Sequence, residues 1–299
     1  MIKYFSLLVF ILLTSLGCQI QERNSIIFEK EHYHILKPTN KADAVLFLFG
    51  GYPETPKQIQ QEFDIKSLAV SHNVTVIYMN YNMKLWLETE DKKLLSKRMS
   101  SIIKENKLAS KNIFIGGFSS GGNVAFLIGN YLSENIVLGF KPKGIFLIDS
   151  PIDLVALYKS SVKNIVRDFS DVSVNESTHL IETLSSRFGN PTDGFKNYEQ
   201  HSVFTSLTDN IKNLAYLKNT KIRLYTEPDY EWWKTNRRSD PDQLNAFYIQ
   251  KLSSILKENN FENVEYIPTE DKGFRSNGVR HPHSWSIVEK EEFMKWLVE

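Results

Sequence analysis

Residues 113–122 read IFIGGFSSGG, and this stretch decides how the rest of the sequence is interpreted. The apolar run at 112–118 is typical of a strand buried on both faces, and the apolar run at 119–132 is typical of a helix. Gly117 and Gly121 flank the junction in a G-x-S-x-G pattern. Side chains at these flanks would collide with the neighbouring strand and helix. The pattern therefore predicts a tight turn that lifts the Ser119 hydroxyl above the edge of a sheet.

Strand and helix patterns alternate along the sequence on both sides of this turn. Further apolar runs predict strands at 44–49, 74–81, 144–148, 222–226 and 264–268, helices at 56–72, 90–108, 242–259 and 286–298, and one or two edge strands within 26–36. This alternation predicts an α/β fold with a mostly parallel central sheet and helices on both faces. The stretch 151–220 is polar, helical and longer than a crossover needs, so we predict a helical cap inserted into one domain at 31–299.

The composition excludes several classes of protein. The chain has 36 Lys and Arg against 35 Asp and Glu, and it is 41% hydrophobic, which excludes a disordered or low-complexity chain. Nucleic-acid-binding surfaces concentrate basic residues, so this even balance predicts no nucleic-acid partner. The single cysteine excludes a disulfide framework and a cysteine-based zinc site. Without a metal-ligand constellation or a Gly-rich phosphate loop in the sequence, we expect no metal and no cofactor.

The first 17 residues have the pattern of an export signal. Lys3 supplies a cation and residues 4–16 are uncharged, a stretch too short to span a bilayer. Residues 15–18 (SLGC) resemble the lipobox of bacterial lipoproteins, with Ser at the first position where Leu is more usual. The resemblance implies a lipidated Cys18 that anchors an exported protein to a membrane of the bacterial cell envelope. The alternative is an ordinary signal peptide with an incidental cysteine. The polar residues 18–30 predict a tether.

With a strand before it and a helix after it, the G-x-S-x-G turn resembles the nucleophile turn of the α/β-hydrolases, and the resemblance covers roughly residues 26–299. It implies a serine hydrolase in which Ser119 is the nucleophile and the backbone amide of Ser120 donates to an oxyanion. The alternative is a helix that simply begins at a capping Ser119.

A second oxyanion donor is expected after an earlier strand, where the family often has an HGG-type turn. Residues 49–52 (FGGY) follow the predicted strand 44–49 and hold this place. Phe49 replaces the usual His, so either the amide of Gly51 or that of Tyr52 is the candidate donor. The alternative is a glycine loop without this role.

A serine nucleophile needs a base that is itself oriented by a carboxylate. In this family the acid follows the serine and the histidine comes last. Only His281 and His283 follow the last predicted strand. The family's histidine commonly lies immediately before the closing helix, which favours His283. His281 precedes a proline that restricts its backbone, so a role in shaping the loop suits it better.

The family's acid normally follows the strand that comes after the cap. Asp229 matches that position after the predicted strand 222–226, and Pro228 fixes the turn before it. Glu227 is an alternative in the same turn. Asp149 is another, because some members of the family have their acid at the end of the preceding strand.

Aromatic and cationic residues follow Asp229 and are candidates for substrate binding. Trp232 and Trp233 could form an apolar or sugar-stacking wall, and Arg237 or Arg238 could hold an anionic group. Packing of the tryptophans and surface ion pairs of the arginines are the alternative. Together the residues and the resemblance predict a carboxylic ester hydrolase that acts on a small molecule. A serine peptidase and a non-catalytic binding lipoprotein remain open.

Overall fold

The computed structural model describes residues 25–135 and 139–299. The predicted export signal, Cys18 and the first part of the tether lie outside the described residues. The strands of the central sheet are β1 (Ser25–Lys30), β2 (Tyr33–Pro38), β3 (Ala44–Phe49), β4 (Val74–Met79), β5 (Ile113–Phe118), β6 (Gly144–Ile148), β7 (Lys221–Thr226) and β8 (Val264–Pro268).

The eight strands form one sheet in the order β1-β2-β4-β3-β5-β6-β7-β8. Strand β2 runs antiparallel to both of its neighbours, and every other adjacent pair is parallel. The predicted α/β fold with a mostly parallel sheet is confirmed. Strand β5, which ends immediately before Ser119, lies near the centre of the sheet, between β3 and β6.

Helices cover both faces of the sheet. They are α1 (Pro56–Glu62), α2 (Lys66–Ser71), α3 (Thr89–Glu105), α4 (Ser120–Glu134), α5 (Leu154–Arg167), α6 (Asp171–Phe188), α7 (Lys196–His201), α8 (Tyr230–Arg237), α9 (Asn245–Glu258) and α10 (Lys290–Val298). Phe47 of β3 packs in the core that contains α3, α4 and α9, whereas Leu48 packs in the core that contains α1, α2 and α10. Successive side chains of the strand point to opposite faces of the sheet, so the strand contributes to two separate hydrophobic cores. No helix of the described residues has the length and apolar character needed to cross a membrane.

Several predicted boundaries differ from the structure. The predicted helix 56–72 is two helices, because the chain turns at Phe63, whose buried ring stacks on Trp285 at 5.0 Å. The predicted closing helix begins later, at Lys290, because a short 3-10 turn comes first. Residues 25–30, assigned above to the tether, form β1 and pair with β2 over its whole length.

The insertion between β6 and β7 is helical, as predicted. Glu88, which lies outside the insertion, binds two of its helices. This residue precedes α3, and its carboxylate accepts hydrogen bonds from Arg187 at the end of α6 and from His201 at the end of α7. The bonds from Arg187 lower the pKa of Glu88 to about 2. A carboxyl whose pKa is depressed in the folded state stabilises that state above its unfolded pKa. Acid therefore removes this contribution to stability progressively, as the pH falls from the ordinary pKa of a Glu carboxyl, about 4, toward 2.

Candidate active site

The predicted tight turn is present at Ser119, between β5 and α4. Ser119 has φ 52° and ψ −128°, a backbone conformation that L-residues adopt at an energetic cost. Its amide donates to the carbonyl oxygen of Ile148 at the end of β6, at 2.9 Å. A Cβ atom at Gly117 would lie 2.5 Å from the carbonyl oxygen of Phe49, and one at Gly121 would overlap the same oxygen. The glycines of the motif are therefore required for the close approach of β3 to the turn.

His283 is held by a buried carboxylate. Its Nδ1 lies 2.6 Å from Oδ2 of Asp149, the residue that follows β6. Asp149 is only 6% exposed, and its own amide donates to the carbonyl oxygen of Tyr225 at 2.9 Å. A carboxylate that accepts the Nδ1 proton leaves Nε2 free to act as a base. The structure thus brings together one histidine and one acid in the arrangement that general base catalysis needs.

His283 lies next to the tight turn at Ser119. The His283 ring packs against the ring of Phe118, with centroids 4.4 Å apart, and Phe118 directly precedes Ser119. Within residues 25–135 and 139–299, no hydrogen bond joins the Ser119 hydroxyl to the imidazole. In hydrolases without substrate this bond is often long, and it shortens when the substrate binds.

The prediction that Asp229 orients the histidine is wrong. Asp229 Oδ1 accepts the amide of Trp232 at 3.0 Å and so caps α8, and Oδ2 accepts a bond from Arg280 at 2.7 Å. Asp is a preferred residue at a helix N-terminus, and this local bond competes with a distant histidine. Asp149, kept as an alternative above, has the position that Asp229 was expected to have.

Glu227 does not reach His283 either. Its buried carboxylate lies 2.6 Å from the same Arg280 guanidinium and also accepts the amide of Lys272 at 2.9 Å. Arg280, which lies in the loop that leads to His283, therefore binds both Glu227 and Asp229.

The two candidate amides of the 49–52 turn have different surroundings. The Gly51 amide donates to Oε2 of Glu54 at 2.8 Å, so it is already occupied. For the Tyr52 amide, the described part of the chain offers no partner. Gly51 lies against Ser119, since a Cβ atom built on Gly51 would be 3.1 Å from Cβ of Ser119. The amide of Ser120, the first residue of α4, has no partner within its helix. Ser120 and Tyr52 are thus the available donors.

The two tryptophans of α8 pack around His281. The ring centroid of His281 lies 4.9 Å from that of Trp232 and 5.6 Å from that of Trp233. Burial lowers the pKa of His281 to about 3, with further lowering by the charges of His283, Arg275 and Arg237. His281 is therefore neutral near pH 7 and forms part of the wall beside His283.

The two candidate arginines at the end of α8 lie over aromatic rings. The Arg237 guanidinium lies 5.6 Å from the ring centroid of Trp232, and that of Arg238 lies 5.5 Å from the ring centroid of Phe169. Both arginines therefore pack against aromatic rings of this protein. Substrate binding by the tryptophans and arginines stays a prediction.

The sheet order, the strained serine at the end of β5 and the histidine before the closing helix define the α/β-hydrolase fold. No protein-family model matches the sequence, and no curated protein sequence matches it. Among solved structures, the chain is similar to FphF, a fluorophosphonate-binding serine hydrolase of Staphylococcus aureus. The identity is 13% and the TM-score 0.53, over 92% of this chain and 97% of that one.

Two further solved structures illustrate the range of the likeness. An esterase from Rhizomucor miehei is 16% identical with a TM-score of 0.57, over 91% of this chain and 82% of that one. An acylaminoacyl peptidase from Pyrococcus horikoshii is 17% identical with a TM-score of 0.52, over 91% of this chain and 40% of that one. At these identities the likeness establishes the fold, and the activity has to be argued from the site.

Proposed function

We propose that this protein is a serine hydrolase that cleaves carboxylic esters. The observation that carries the proposal is the pairing of His283 with the buried Asp149 at the end of β6, beside the strained Ser119 at the end of β5. A buried carboxylate and a histidine at the rim of a parallel sheet, next to a serine on a strained turn, have the arrangement of a nucleophile, its base and its orienting acid.

The chemistry follows from these groups. Ser119 Oγ attacks the ester carbonyl carbon while His283 Nε2 takes its proton, and the oxyanion that forms accepts bonds from the amides of Ser120 and Tyr52. One such donor typically stabilises the transition state by about 3–4 kcal/mol. His283 then gives its proton to the leaving alcohol, which breaks the C–O bond and leaves an acyl-enzyme. A water molecule, deprotonated by His283, hydrolyses this intermediate and restores Ser119. Throughout, Asp149 stabilises the imidazolium.

A matched pair of substrates tests the proposal. We expect the protein to hydrolyse 4-nitrophenyl butyrate with an easily measured kcat, and to hydrolyse the anilide of the same acyl group far more slowly. A protein that prefers the anilide would be a peptidase. A protein that cleaves neither and takes up no fluorophosphonate probe would be a binding protein that has only the fold of a hydrolase.

We also propose that the protein is exported and anchored to a membrane through a lipid on Cys18. The support is the lipobox-like SLGC sequence at 15–18 after an uncharged stretch. Replacing Cys18 by serine should move the protein from the membrane fraction to the soluble fraction of the cells that express it. The Cys18→Ser protein remaining with the membranes after a carbonate wash would contradict lipid anchoring.

A further inference from the structure

A carboxylate occupies the turn that follows β3. Glu54 Oε2 accepts the Gly51 amide at 2.8 Å, and the Glu54 amide donates in return to the Gly51 carbonyl oxygen at 2.6 Å. The same Oε2 atom accepts the indole Nε1–H of Trp285 at 3.1 Å. A single oxygen atom of Glu54 therefore joins the turn after β3 to the segment that follows His283.

The residue at the other end of this link is rigid. Trp285 is fully buried, and its ring stacks on Phe63 and lies 5.4 Å from the ring of Phe118. Phe118 in turn contacts both His283 and the neighbourhood of Gly51. Glu54 thus fixes the position of the 49–52 turn relative to the histidine and the serine turn at once.

We propose that Glu54 is a positioning residue for the oxyanion hole: by binding the Gly51 amide it orients the turn so that the Tyr52 amide is the donor to the oxyanion. The inference rests on the proposed ester hydrolysis. Donors that are fixed before the reaction stabilise developing charge without reorganisation, so the rate depends on how firmly the turn is held. Phe49, the residue in the place of the family's usual histidine, has no polar group for this purpose.

The surroundings of Glu54 fit a fixed acceptor. Burial raises the pKa of its carboxyl, and the N–H groups of Gly51 and Trp285 together with the charges of Arg275 and His283 offset only part of that rise. A carboxylate withdrawn from water costs free energy unless such donors satisfy it. Glu54 affects the reaction only by positioning Gly51 and Tyr52, because Glu54 itself contacts none of the reacting atoms.

The test compares Glu54→Ala, Glu54→Gln and wild-type protein with 4-nitrophenyl butyrate. One oxyanion donor is worth about 10²–10³ in kcat. We therefore expect Glu54→Ala to lower kcat by about 100-fold with KM changed less than about threefold. Glu54→Gln keeps an oxygen that can accept from both donors, so it should retain kcat within about tenfold of wild type. A trifluoromethyl ketone, which forms an oxyanion on Ser119, should lose affinity with Glu54→Ala by a factor similar to the loss of kcat/KM.

The matched control is Glu62→Ala. Glu62 also binds the loop before His283, through Ser276, but it makes no bond to the 49–52 turn. We expect its kcat to equal that of wild type. Active-site titration with a fluorophosphonate gives the fraction of correctly folded protein in each sample, so a folding defect is not counted as a loss of kcat. The proposal fails if Glu54→Ala keeps its kcat, raises only KM, or leaves the ketone affinity unchanged. By contrast, wild-type protein without esterase activity would contradict the proposed function itself.

Discussion

Replacing Ser119 by alanine should lower kcat for 4-nitrophenyl butyrate by about 10⁵–10⁶-fold, because loss of the nucleophile removes the covalent route as a whole. The turn itself should persist, since its geometry depends on Gly117 and Gly121 and on the bond from the Ser119 amide to Ile148, all of which alanine leaves in place. We therefore expect the free energy of unfolding to change by less than about 1 kcal/mol.

Steady-state kinetics and fluorophosphonate labelling measure this effect independently. The Ser119→Ala protein should take up no probe, whereas Ser254→Ala, a change on the exposed surface of α9, should label and turn over like wild type. Labelling of the Ser119→Ala protein at another serine, with turnover retained, would show that the nucleophile lies elsewhere.

Replacing Asp149 by asparagine should lower kcat by about 10³–10⁴-fold, whereas Asp229→Asn should leave kcat within about threefold of wild type. An asparagine amide that donates to Nδ1 favours the tautomer with the proton on Nε2, and that nitrogen then has no lone pair for the Ser119 proton. Asp229 makes its bonds to Trp232 and Arg280, so its loss affects the start of α8 and one ion pair.

The two asparagine variants are matched in chemistry and differ only in which carboxylate they remove. Kinetics at pH 8, where a free histidine is neutral, give the comparison directly, and urea denaturation shows whether either variant is less stable. Asp229→Asn should cost about 1 kcal/mol or less through the weakened helix cap. A large loss of kcat with Asp229→Asn and none with Asp149→Asn would show that Asp229, and not Asp149, is the carboxylate that orients His283.

The alternation of apolar runs predicted the sheet well, because strands buried on both faces have a pattern that depends only on local sequence. The bounds of β3, β6 and β8 agree with the predicted strands, and the helical insertion before β7 was also predicted. The helix α8 was not predicted, although Asp229 is a typical N-terminal capping residue.

Contacts between distant parts of the chain explain where the site differed from expectation. Asp149 and Asp229 each follow a strand of the same parallel sheet, so the sequence pattern allows either to approach His283. The choice is made by Arg280, which binds Asp229, and this contact cannot be seen without the fold. The occupation of the Gly51 amide by Glu54 likewise depends on the conformation of a turn rather than on a residue pattern.

Because Ser119 and Asp149 leave from adjacent strands, proton transfer depends on a single βα repeat and on the histidine loop. The helix α8, which lies between β7 and β8, contributes no residue to that transfer. On the proposed function, we expect substitutions in α8 to change the packing around His281 and to leave the rate of acyl transfer close to that of wild type.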